Sequence, residues 1–201
     1  MFSKPAQTSQ PLHSLIQNRW SPRAFDPDQP VSEPALIAVL EAARWAPSCM
    51  NEQPWRFVAC DRQRQAEAWS ELLACLAEKN REWAQHAPVL ILAAAQEHFA
   101  QNGKPNRWAA YDLGAASMSI VLQAAAEGLV AHQMGGFDPE RAKQKFGLPE
   151  GFAPYAVIVI GFQADPETLS EEFKQRELAE RSRADLVERV GFGAWGAGAK
   201  E

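Results

Sequence analysis

Ala46-Pro47-Ser48-Cys49-Met50-Asn51-Glu52-Gln53-Pro54-Trp55-Arg56-Phe57 reads as a helix that ends, a polar loop, and a strand that begins. The residue before a proline is pushed out of the helical region, so the helix stops before Pro47. Ser32 is a good N-cap for it, and Pro34 is tolerated in its first turn. Leu36, Leu40 and Ala43 then share one apolar face. On the other side of the loop, Trp55 to Cys60 reads as a strand.

Upstream, Leu12, Leu15, Ile16 and Arg19 recur at helical spacing and predict a short helix over 12–19. The stretch 21–30 carries Pro22, Pro27 and Pro30, so it must be an extended loop. Residues 1–10 read as a flexible arm. Downstream, 62–79 reads as a helix, and Pro88 to Ala95 as a buried strand. Arg107 to Glu127 is strongly helical, with Trp108, Tyr111, Ala115, Met118, Leu122 and Ala125 on one face. Small residues line its other faces, so this helix is expected to be buried nearly all round, in the middle of a domain or at a dimer interface, and Gly128 ends it. A short strand at 129–133 and a helix from Pro139 to Phe146 follow. Tyr155 to Phe162 is the clearest strand, apolar on both faces. The pattern predicts an α+β fold with a central mixed or antiparallel sheet of about four or five strands. One domain over 11–190 is expected, then a glycine-rich tail over 191–201.

The chain has 201 residues, 46% of them hydrophobic and 22% charged, with a net charge of −5. That balance excludes the basic stripe of a nucleic-acid binder and disfavours an anionic membrane surface. Three cysteines without a C-x-x-C pair argue for a reducing, cytoplasmic compartment and against a disulfide framework. No stretch is apolar for long enough to span a bilayer, and no signal segment is visible.

Standard catalytic signatures are absent. The four histidines have no metal-ligand spacing, so no metal site is expected. Gly191-Phe192-Gly193-Ala194-Trp195-Gly196 matches a dinucleotide-loop pattern, but no helix or second strand can follow it, and a flexible tail is the better reading. Three segments are more informative. Arg19-Trp20-Ser21-Pro22-Arg23 places two guanidinium groups around a hydroxyl, which suits phosphate oxygens. Ser48, Asn51 and Gln53 offer donors and acceptors for a heterocycle edge. His132-Gln133-Met134-Gly135-Gly136-Phe137-Asp138 lets backbone approach a flat ligand. Each has a plain alternative: a solvated surface pair, an ordinary connecting loop, a simple turn.

Taken in order, these segments resemble the FMN-dependent nitroreductase family. The resemblance rests on Arg19, Ser21, Arg23 and Phe25, then Ala46 to Phe57, Ala126 to Leu129, Gly135 to Asp138, and Ile160-Gly161. It implies a homodimer with the long helix at its interface and two FMN molecules held between the chains. It implies that Arg19 and Ser21 contact the FMN phosphate, with Trp20 beside them, and that Arg23 contacts the phosphate or the N1/O2 edge. Pro47, Ser48, Cys49 and Asn51 would come from the other subunit. Gln133, Met134, Gly135 and Gly136 would lie at the reactive ring, the Gly135 N–H facing N5. Arg181 and Arg183 would complete the phosphate site. No side chain is expected to be catalytic in itself, because the cofactor carries the chemistry.

The implied activity is hydride transfer from NADPH or NADH, through flavin N5, to a nitroaromatic, quinone or other conjugated acceptor by a ping-pong cycle. Other flavin chemistry on the same scaffold, such as reductive dehalogenation, enal reduction or flavin cleavage, is the alternative, and a non-enzymatic flavin-binding module is the last. The chain departs from the family pattern at Cys49, where serine is more usual, at Trp20, and at Gln133-Met134.

Overall fold

The computed structural model describes residues 2–196. The helices are α1 (Ser14–Asn18), α2 (Glu33–Arg44), α3 (Ala66–Cys75), α4 (Glu78–Ala84), α5 (Ala109–Ala126), α6 (Pro139–Lys145) and α7 (Glu171–Leu178). The strands are β1 (Trp55–Asp61), β2 (Val89–Gln96), β3 (Val130–Met134) and β4 (Phe152–Gly161). They form one sheet in the order β1-β2-β4-β3, antiparallel throughout. The expected α+β architecture is therefore present, with four strands.

Side chains alternate across the two central strands, as the period of two requires. Val89, Ile91, Ala93, Ala95, Ile158 and Ile160 face one core, roofed by α2 and α5. Leu90, Leu92, Val157 and Val159 face the other, with Trp69, Leu72, Trp83 and Phe173 from α3, α4 and α7. Burial on both sides explains why β2 and β4 read as continuous apolar runs.

The capping signals work as the residues suggest. The Ser32 hydroxyl accepts the Ala35 N–H at 3.3 Å, and the Asp138 carboxylate accepts the Arg141 N–H at 3.0 Å. Gly128 has φ +75°, which an L side chain rarely adopts, and it turns the chain out of α5 into β3.

Three elements differ from the sequence reading or add to it. The helix expected over 62–79 is two helices, because Leu76 is extended and bridges Phe137. The Cys75 and Gly136 carbonyls take the Asp138 and Ala77 N–H groups there, at 2.8 and 3.0 Å. Next, within the single chain α5 is buried along one face, so the middle of the domain does not cover it all round. Its core face is Ala109, Asp112, Leu113, Ala116, Ser117, Ile120, Val121 and Ala124. Trp108, Tyr111 and Met118 point outward, with Tyr111 75% exposed. Finally, α7 lay hidden in a charged segment, for only Phe173 and Glu177, one turn apart, face inward.

Residues 2–10 form no helix or strand but lie against the body. The Ala6 N–H reaches the Gln17 carbonyl at 2.8 Å, and Lys4 lies over the Trp20 ring at 4.6 Å. Residues 191–196 of the tail are exposed, and 197–201 lie outside the described residues.

Candidate functional site

The loop over 19–25 is held at successive peptide groups. His132 Nδ1 meets the Pro22 carbonyl at 2.9 Å. The Glu177 carboxylate accepts the Arg23 N–H at 2.9 and 3.0 Å and the Ala24 N–H at 3.2 Å. Phe25 then bridges Gln163 and stacks on Trp83 with ring centroids 6.1 Å apart. An extended, proline-bearing segment is thereby rigid, and it carries the two arginines that the sequence singled out.

The C-terminal arginines join the same place. Arg181 donates to the Lys4 carbonyl at 2.6 Å and the Gln17 carbonyl at 2.9 Å. Burial pulls Arg19 below its ordinary pKa, and the Arg181 and Arg183 charges pull it further. None of Arg19, Arg181 and Arg183 makes a salt bridge among the described residues. Among the described residues, the Arg19 guanidinium reaches only the Ser21 hydroxyl, at 3.4 Å. Gathering like charges without a carboxylate is unfavourable unless an anion comes to them. Arg23 is different: Glu177 raises its pKa against the lowering by burial, and its guanidinium lies 6.0 Å from the Phe173 ring centre.

Trp20 packs edge-on against Phe2, with centroids 6.0 Å apart. Next to it is a cavity of about 240 Å³, lined by Leu15, Arg19, Trp20, Val121, Leu129 and Gln163 among others. Neither polar atom of the buried Gln163 amide has a partner among the described residues.

The loop after α2 is strained. Met50, Asn51 and Gln53 have φ of 54°, 57° and 49°, a region that costs non-glycine residues about 1–3 kcal/mol each and that clusters at functional sites. Buried Asp112 accepts the Cys49 N–H at 3.0 Å. The Ser48 hydroxyl accepts the Gln53 N–H at 3.0 Å. Pro47 and Asn51 are exposed, and Ser48 and Cys49 are half-buried. Burial pushes the Cys60 thiol up to about 11, which removes it as a nucleophile near neutral pH.

At the end of β3, the four residues separate into different jobs. Met134 is buried in the core, so only its backbone can meet a ligand. Gln133 is exposed. Gly136 is a packing glycine: a Cβ there would meet Asn80 Nδ2 at 2.6 Å, and Asn80 donates to the Gly136 carbonyl at 3.0 Å. At Gly135 a Cβ would meet nothing within 4 Å, so packing among the described residues does not require a glycine there.

The chain thus brings Arg19, Ser21, Arg23, Arg181 and Arg183 together. His132 ties that group to β3, three strand residues or about 10 Å from Gly135. It does not bring Pro47–Asn51 to them. That loop precedes β1, and β1 and β3 are opposite edges of the sheet, about 14 Å apart. Lys4, His132, Asp112 and Glu177 were missed as site-shaping residues. His132 lay inside a motif already singled out; the other three carry no local signal.

A model of the nitroreductase family matches residues 16–162, and the chain belongs to that family. It resembles a solved oxidoreductase containing FMN, with 35% identity, a TM-score of 0.89, and coverage of 94% of this chain and 95% of that one. A Bacillus subtilis protein bearing the name of an NAD(P)H nitroreductase is 29% identical over 183 residues, covering 75% of this chain and 88% of the relative. A Thermus thermophilus protein named NADH dehydrogenase is 30% identical over 167 residues, covering 68% and 79% respectively. Arg181 and Arg183 lie beyond the matched span.

Proposed function

We propose that this chain is an FMN-dependent oxidoreductase that takes hydride from NADPH or NADH and passes it to a nitroaromatic, quinone or other conjugated small molecule. The observation that carries the reading is the gathering of Arg19, Arg181 and Arg183 with no carboxylate partner among the described residues. That donor set fits a phosphate dianion, and an acidic chain of net charge −5 needs such a local excess to hold one.

Arg19, Arg181, Arg183 and the Ser21 hydroxyl hold the phosphate. Arg23 lies further along the same loop, where burial lowers its pKa and the Glu177 charge opposes that lowering. Gly135 presents bare backbone to the ring, with Gln133 exposed beside it. Pro47, Ser48, Cys49 and Asn51 come from a second protomer. Two features support that: the loop sits at the far sheet edge, and α5 leaves Trp108, Tyr111 and Met118 uncovered. Apolar groups set side by side on a helix are the usual mark of an interface. When bound, FMN accepts and returns hydride at N5, so one site serves donor and acceptor in turn. The chain's own part is to orient the ring, keep water from one face and neutralise the phosphate.

No helix among the described residues is long and apolar enough to cross a membrane, and a cytoplasmic location accords with the free cysteines. The test is a visible absorption spectrum of the purified protein before and after anaerobic NADPH, with sedimentation of the same sample. A yellow dimer that bleaches is expected. A yellow protein that no nicotinamide bleaches moves the reading to other flavin chemistry on this scaffold. A colourless protein that FMN cannot reconstitute overturns it.

A further inference from the structure

Glu177 is a fully buried acid on α7 that the proposed chemistry does not use. A carboxylate stripped of water persists only where hydrogen bonds and cations replace the solvent. Here both of its oxygens accept the Arg23 N–H, and one also accepts the Ala24 N–H. Its own backbone carbonyl accepts Lys4 Nζ at 2.7 Å. The Lys4 and Arg23 charges both act on the carboxylate.

The position of these contacts in the chain gives them a purpose. Arg23 belongs to the loop that begins at Arg19, and Glu177 lies just before Arg181. The carboxylate therefore clamps one arginine-bearing segment to the element that delivers the other. Arg181 closes the arrangement from its side, on the Lys4 and Gln17 carbonyls. His132 grips the intervening Pro22 carbonyl from β3. Like charges repel, so without a clamp the guanidinium groups would splay, and an arriving anion would have to order them itself.

The geometry points to Glu177 as the positioning residue of the anion site: it locks the Arg19–Arg23 loop against the Arg181–Arg183 segment, so that a phosphate monoester meets a preformed cradle. This rests on the reading of that cluster as a phosphate site. No bond is made or broken, and Glu177 itself touches no ligand.

The experiment compares FMN with riboflavin, which differ only in the phosphate. Each is titrated into flavin-free full-length protein by fluorescence quenching, for wild type, Glu177→Gln and Glu177→Ala, with thermal melts alongside. Glu177→Gln keeps the shape and one acceptor oxygen, so it decides the matter if Glu177→Ala fails to fold. The expected result is that wild type prefers FMN by tenfold or more, and that the variants lose about tenfold of that preference, with riboflavin affinity changed less than about twofold. A merely structural role would weaken both ligands alike. Folded variants that keep the wild-type preference overturn the inference. Wild type with no preference for FMN overturns the phosphate reading beneath it, which is a different failure and shows in a different protein.

Discussion

Asp112, buried in the first turn of α5, accepts the backbone N–H of Cys49 at 3.0 Å. The bond anchors the strained 48–53 loop to the helix that roofs one core and exposes Tyr111 and Met118. Loop, helix and exposed face are thus one mechanical unit. Asp112→Ala leaves a half-buried N–H without its charged partner, at a cost of about 1–3 kcal/mol. Urea unfolding should show that loss, and FMN retention should fall with it. Unchanged stability would mean that the loop holds itself.

Arg181 and Arg183 should separate by role. Arg183 is exposed and, among the described residues, reaches only its neighbour's carbonyl, that of Ser182, at 2.7 Å. Arg183→Ala should leave the melting curve in place and weaken FMN by about tenfold, the worth of one charge-assisted bond. Arg181→Ala also removes two bonds to the chain, so it should lower both stability and affinity. Calorimetry and flavin titration on the two variants make the comparison.

Gly135→Ala tests the open face. Nothing among the described residues lies within 4 Å of the added methyl, so folding should be unaffected. Turnover with NADPH and a quinone should drop, because the methyl enters the space assigned to the ring. Full activity in a folded Gly135→Ala protein would place the reactive face elsewhere.

His132 sets a pH dependence with a definite sign. Burial, foremost, pushes its pKa from 6.5 down to about 4. Between those values the unfolded chain holds a proton that the folded chain does not, so stability falls as pH drops through the window. The loss from this group should be about 2 kcal/mol between about pH 7 and about pH 5. Glu177 opposes it: burial pushes its carboxyl up, so in acid the folded form takes that proton first and gains stability. Urea unfolding of flavin-free wild type and His132→Gln at the two pH values isolates the histidine. If the two proteins lose stability equally, His132 is not the source.

The fold was largely legible because its signals are local. Two-sided burial writes β2 and β4 as unbroken apolar runs, and the Ser32 and Asp138 caps are chemistry within one turn. What failed to show was non-local. The apolar residues of α5 give a helix but not the direction it faces: the Trp108–Tyr111–Met118 side, the richer in large groups, is the outward one. Helix α7 carries two inward residues among charges, too few for a visible period.

At the site, Arg19, Ser21, Gly135 and the loop after Pro47 were legible as residue types suited to a phosphate and a flat heterocycle. The partners that place them were not. Glu177 and His132 lie 154 and 110 residues from the groups they grip, and a glutamate in a charged run or a histidine in a strand looks the same whether it faces water or a peptide group. Sequence by itself determined which elements form and which side chains can bind an anion, because propensity, capping and donor chemistry act over a few residues. Tertiary structure alone decided which peptide groups grip the arginine-bearing loop, which glycine packs and which stays open, and that the loop after α2 lies at the sheet edge away from the arginines, because those depend on where the sheet order β1-β2-β4-β3 carries each end of the chain.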